Sequence, residues 1–178
     1  MKPLRWALGL ALGLGALLLG GSLLLPATTQ VERSVVIDRP QTEVFAALDS
    51  FRRFPQWSPW AEQDPETGFG FSGPARGVGA TMTWSGNQAV GSGQQIIRRS
   101  EAPHLIVVEQ AFGDHVSTSR YALAAEDGGT RVSWRIEMAH GFNPLSRWMG
   151  LLSASGMASD IERGLARLKL LLEAPPQD

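Results

Sequence analysis

The chain has 178 residues, 43% of them hydrophobic, and a formal net charge of −1, which suits one globular domain with an appendage. A nearly neutral, slightly acidic chain lacks the basic footprint of a nucleic-acid binder, so nucleic acid is excluded as a partner. The absence of cysteine excludes disulfides, thiolate metal sites and a cysteine nucleophile.

Trp6 to Leu25 is a run of 20 residues without a charge. As a helix it spans about 30 Å, the thickness of a bilayer hydrocarbon core. Lys2 and Arg5 precede it and Pro26 closes it, so residues 1–26 read as an N-terminal transmembrane helix. The competing reading is a cleaved signal peptide. The apolar region of such a peptide usually runs about 7–15 residues, and Gly20-Gly21-Ser22 is a weak cleavage match, so the length favours a retained anchor. Lys2 and Arg5 favour a cytoplasmic N-terminus, although Arg33 and Arg39 after the span blunt the bias. The simplest topology is single-pass in a bacterial inner membrane, with the domain on the periplasmic or extracellular side. Gly9 and Gly13 form a GxxxG pair, a spacing at which two such helices can meet as a homodimer.

Residues 27–30 read as a short linker, 31–174 as the domain and 175–178 as a tail. Val31 to Ile37 is rich in β-branched residues and predicts a strand. Pro40 opens a short helix over Gln41 to Leu48, and Asp49-Ser50 can end it and cap a second one beginning near Phe51. Pro59 pushes Ser58 out of the helical region and stops that second helix. Gly68 to Gly73 matches GxGxxG, but Pro74 and another strand come next where a cofactor site needs a helix, so it reads as a glycine-rich strand and turn. Turn signals then recur at hairpin intervals. Between them lie strand-like runs over Ala80 to Trp84, Gln94 to Arg99, Leu105 to Phe112, Val116 to Leu123 and Thr130 to Met138. In the last, Val132, Trp134, Ile136 and Met138 alternate with polar residues, as a strand with one wet face should. Asn143-Pro144 starts a long helix to Glu173, with Met157, Ile161, Leu165, Leu168 and Leu172 at helical spacing and a possible kink near Gly150 or Gly156.

Val35-Val36-Ile37-Asp38-Arg39-Pro40 followed by Val44-Phe45, the segment Trp57-Ser58-Pro59-Trp60, and Gly77-Val78-Gly79 leading to Trp84 resemble features of the START-like superfamily. This group, also called SRPBCC or helix-grip proteins, includes polyketide cyclases, dehydrases and lipid-transport domains. Gly129-Thr130 before Val132-Ser133-Trp134, and the terminal Asp160 to Leu165 with Leu168-Lys169, extend the resemblance over Val31 to Glu173. It implies an α+β helix-grip fold: a curved antiparallel sheet of about seven strands wrapped around a long C-terminal helix, with two short helices after the first strand. It also implies a ligand cavity, without saying for what.

The concave side of such a sheet should present Met82, Trp84, Phe112, Tyr121, Trp134, Met138, Met149 and Met157, a set that suits either an adaptable apolar pocket or a filled core. Catalytic machinery is thin. Glu109 and Gln110 are adjacent on one strand, so one points inward and one outward. An inward Glu109 could act as an acid or base. Tyr121 and His140 are the other weak candidates. The histidines, His104, His115 and His140, have no metal-ligand spacing, and no cofactor motif stands in a fitting context. The expectation is non-enzymatic, membrane-tethered binding of a lipid or other hydrophobic small molecule in an internal cavity. The alternatives are a cyclase- or dehydratase-like enzyme, and an interaction module with a closed cavity.

Overall fold

The computed structural model of the chain describes residues 13, 15–113 and 115–175. The first strand, β1 (Thr28–Ile37), leads into helix α1 (Gln41–Leu48), a 3-10 turn (Phe51–Arg53) and the short helix α2 (Phe54–Trp57). Ser50 caps the turn by accepting from the Arg52 amide. Six more strands make up the middle of the chain: β2 (Gly68–Ser72), β3 (Thr81–Ser85), β4 (Ser92–Glu101), β5 (Leu105–Phe112), β6 (His115–Glu126) and β7 (Gly129–Ala139). The chain closes with the 30-residue helix α3 (Pro144–Glu173). It is about 45 Å long at the usual helical rise.

The seven strands form one antiparallel sheet in the order β1-β7-β6-β5-β4-β3-β2. Consecutive strands from β2 to β7 pair as a meander, and β1 closes against β7. The two short helices therefore carry the chain from one edge of the sheet to the other. β1 begins earlier than its composition predicts, because Thr28, Thr29 and Gln30 pair with Ala139, Met138 and Glu137. The expected linker is thus largely strand. α3 runs through Gly150 and Gly156 without interruption. Its start is capped by Asn143, whose Oδ1 accepts from the amides of Leu145 and Ser146 at 3.0 and 3.2 Å. Gly150 is required where it stands, since a Cβ there would lie 2.2 Å from His140 Nε2.

The second half of α3 fills the sheet's concavity with Ile161, Leu165, Leu168 and Leu172, all buried. Beneath them sits an aromatic cluster. Trp134 meets Trp57 at 5.6 Å, Trp60 at 6.0 Å and Tyr121 at 5.2 Å between ring centroids. Most contacts are edge-on, as ring quadrupoles prefer.

Residues 6–12 and 14 of the uncharged N-terminal run, Gly9 among them, lie outside the described residues. Residues 15–22 are helical, and among the described residues no helix is long and apolar enough to cross a membrane.

Candidate functional site

Toward the end of the sheet where β1 begins and β7 ends, the interior is hollow. A cavity of about 280 Å³ lies between the concave face, α2 and the side of α3 that carries Met157. That is near the lower end of the roughly 300–1,000 Å³ typical of small-molecule sites. Its wall takes side chains from β2 to β7, from Phe54 of α2, and from the loops that hold Trp60, Thr67 and Val90.

The sheet's register builds this wall. Met138, Ser117, Gln110, Gln95 and Met82 are cross-strand neighbours in one continuous row. The next row toward the sheet end is Trp84, Gly93 and Phe112. The Trp84 and Phe112 rings are 6.4 Å apart and nearly parallel. A Cβ on Gly93 would lie 2.4 Å from the Trp84 ring, so only glycine lets the indole lie across that strand.

A chain of hydrogen bonds crosses the otherwise apolar wall. The Trp134 indole donates to Ser119 Oγ at 3.2 Å, and Ser119 donates to Gln110 Oε1 at 3.1 Å. Ser117 donates to the same oxygen at 3.3 Å, and Gln110 Nε2 donates to Gln95 Oε1 at 3.2 Å. Gln95 is buried, and its Nε2 has a soft partner, Met82 Sδ, at 3.7 Å. Each amide nitrogen carries a second N–H. Thr67 Oγ1, also on the wall, is buried without a hydrogen-bond partner. The cavity is thus apolar, with a few donors ready for an oxygen acceptor.

Of the residues expected to face a ligand, Met82, Trp84, Phe112, Met138 and Met157 lie on this wall. Tyr121 and Trp134 share the inward face but belong to the aromatic cluster, two rows deeper than Met138 and Ser117, where α3 presses onto the sheet. Met149 points away from the sheet and is exposed. The catalytic candidates are not brought together. Glu109 lies on the convex face, ion-paired with Arg98 at 2.6 Å, and its neighbour Gln110 takes the inward position. Burial pushes the Tyr121 hydroxyl far above the usual phenol range, and a hydrogen bond with Ser119 offsets only part of this. It stays neutral. His140 sits beside the start of α3, its Nε2 2.7 Å from Thr29 Oγ1. Partial burial, then the charges of Arg147 and His115, hold its pKa below the ordinary imidazole value. His104 is held in a loop by Gln41 at 2.9 Å. Among the described residues no three His, Cys, Asp or Glu side chains converge as metal ligands would.

Sequence reasoning missed Gln95, Thr67 and Ser117. Gln95 could have been found from Gln94-Gln95, where one of two adjacent glutamines must face inward on a strand.

A sheet gripping a helix over an apolar cavity defines a class of small-molecule binding domains. The chain belongs to the polyketide cyclase / dehydrase and lipid transport family, whose model matches residues 28–173. Solved structures agree on the fold. The di-domain aromatase/cyclase BexL from the BE-7585A biosynthetic pathway is 19% identical with a TM-score of 0.57. The match covers 84% of this chain and 52% of that one, so this chain spans about half its length. The di-domain StfQ of the steffimycin pathway is 10% identical with a TM-score of 0.61, over 83% of this chain and 51% of that one. A protein from Arthrobacter aurescens is 16% identical with a TM-score of 0.60, over 83% and 87%. No curated protein matches the chain by sequence.

Proposed function

We propose that this protein is a membrane-tethered, non-enzymatic binder of a lipid or other hydrophobic molecule that carries an oxygen acceptor at one end. One observation carries the non-enzymatic part: no aspartate, glutamate, histidine, lysine, arginine or tyrosine is among the cavity's lining residues. General acid–base chemistry needs such a group within reach of the reacting proton, and a binder needs none. Burial of apolar ligand area, at about 25 cal/mol per Å², supplies affinity. The second N–H groups of Gln95 and Gln110 and the Thr67 hydroxyl would orient the polar end. The volume suits one acyl chain or a small ring system.

The uncharged run from Trp6 to Leu25 supports the tether, with the domain on the outer face of an inner membrane. The family's description spans both cyclases and lipid transport, so a cyclase-like enzyme is the alternative to test. The test is native mass spectrometry of the full chain released from lipid nanodiscs, beside the variant Gln110→Leu. The expected result is a co-purifying apolar molecule in stoichiometric amount, recovered unchanged, with lower occupancy in the variant. Recovery of a chemically altered molecule after incubation with a polyketide-like substrate would favour the enzyme. An empty, unloadable cavity would refute binding.

A further inference from the structure

The first half of α3 is not dressed for water. From Gly141 to Ser159 the only charged residue is Arg147, and it is buried. Its guanidinium donates to the Gly141 carbonyl at 2.7 and 2.9 Å, to Ser22 at 3.1 Å and to Leu25 at 3.4 Å. Around it the apolar side chains stand free: Phe142 is 94% exposed, Leu145 71% and Leu152 72%. The second half of the same helix carries Asp160, Glu162, Arg163, Arg167, Lys169 and Glu173, the dress of a solvated helix.

This bare surface continues into the end of the N-terminal run. The Trp148 indole donates to the Leu18 carbonyl at 3.1 Å, and its ring lies 3.2 Å from where a Gly21 Cβ would be. Beside that contact, Leu17, Leu19, Leu23 and Leu24 are exposed. The end of the run and the opening turns of α3 thus form one apolar surface, tied together by Arg147 and Trp148. An exposed patch of this kind marks an interaction site.

We infer that this surface is seated in the bilayer interface, so that Phe142, Leu145 and Leu152 sink among the lipid headgroups. Continuity identifies the occupant. The run behind the patch is uncharged for 20 residues, and its last turn is fixed to α3. A second copy covering Phe142 and Leu152 would still leave that run to be covered, whereas a bilayer takes both. Tryptophan at such a boundary fits, since its ring is apolar and its N–H polar. The consequence is an oriented cavity. Met157, a few residues along the same helix from Leu152, lines it, and it occupies the end of the sheet where the run enters. Seating therefore brings the cavity close to the lipids, and a hydrophobic ligand can pass between them with little exposure to water.

The inference rests on the tether of the proposed function, and its test separates the two. The chain has no cysteine, so Phe142→Cys, Leu152→Cys and, at the far β6–β7 turn, Asp127→Cys each give one labelling site. The full-length variants, carrying a polarity-sensitive fluorophore, are reconstituted into phosphatidylethanolamine/phosphatidylglycerol vesicles. They are then floated and quenched with aqueous iodide or with doxyl-labelled lipid. The expected result is blue-shifted emission at positions 142 and 152, lost to doxyl lipid and protected from iodide, with the reverse at 127. Iodide quenching at all three positions in a floating chain overturns the seating and leaves the tether standing. Protection of 142 and 152 from both quenchers means that protein covers the patch, and also overturns it. A chain that fails to float overturns tether and seating together.

Discussion

The two halves of α3 cover two different interiors. Beneath the C-terminal half, Ile161, Leu165 and Leu168 are buried in the same core as Trp134, and Gly164 is a glycine because Trp134 and Pro59 each stand 3.0 Å from where its Cβ would be. Beneath the N-terminal half, Gly150 packs on Thr29 at the edge strand, and Met157 faces an open space above the concave face. The difference lies in the strand residues. The inward positions beneath the packed end carry Trp134, Tyr121 and Ile106, all buried, with Trp134 against the helix at Gly164. Those beneath the open end carry Ser117, Gln110 and Gln95, which bond to one another instead. The three polar side chains are held along the sheet by these bonds, and the gap above them is left open. The packed half holds the fold and the open half is free to hold a ligand.

The most severe way to break this division is at Leu165, which is buried against the sheet. Leu165→Asp places an uncompensated charge there, a cost of several kcal/mol against a total stability of about 5–15 kcal/mol. The expected outcome is loss of the cooperative thermal transition. Trp134→Ala comes next. Its side chain is fully buried, and truncation should cost the full ~3–5 kcal/mol of a solid core site, read as a lowered denaturation midpoint. Ligand affinity should be unchanged apart from the loosened Ser119 bond. A stability loss well below that range, with altered ligand size preference, would show that Trp134 belongs to the open half.

Gly164→Ala probes the boundary between the halves. Alanine is favoured over glycine in a helix interior by about 1 kcal/mol, so on propensity alone the change stabilises. The two 3.0 Å contacts oppose it, and overpacking a dense site costs about 1–3 kcal/mol. A net loss of about 1 kcal/mol is expected in chemical denaturation. A gain would mean that Pro59 and Trp134 can retreat and the packed half is looser than described. Met157→Trp tests the other side. The larger ring should enter the cavity at no more than the ~1–3 kcal/mol cost of an enlarged side chain in a packed site, while occupancy by a bound lipid falls in native mass spectrometry. Unchanged occupancy would place the ligand elsewhere.

The fold was legible because its signals are local and redundant. The alternation of Val132, Trp134, Ile136 and Met138, the spacing of Ile161, Leu165 and Leu168, and the Asn143-Pro144 start each specify an element without reference to the others. The strand Leu105–Phe112 and the helix Gln41–Leu48 fall where the pattern puts them. The cavity was legible only in part, because being hollow is a property of distances between elements. Parity puts Trp134 and Met138 on one face and cannot say that only Met138 stands where α3 has lifted away. Met149 illustrates another limit: helical spacing puts it near the core stripe, yet the patch it shares with Leu145 and Leu152 faces outward. The polar row was hidden for a different reason. Gln95, Gln110 and Ser117 look like solvent-facing residues in sequence, and register across three strands is needed to bring them together.

Glu109 supplies the smallest and most discriminating test of the reading as a binder. Had it faced the cavity, it would have been the one carboxyl there able to move a proton. It faces out, about two-fifths exposed, and pairs with Arg98 across neighbouring strands. Exposed pairs of this kind contribute about 0–1 kcal/mol, since water and salt screen them. Glu109→Gln should therefore shift the denaturation midpoint barely, and salt at about 0.5 M should erase what shift there is. Ligand occupancy and the identity of the co-purifying molecule should not change. A loss of function in Glu109→Gln with stability intact would mean that the convex face, with Arg98, Glu109 and Thr118, takes part in the chemistry and that the cavity does not act alone.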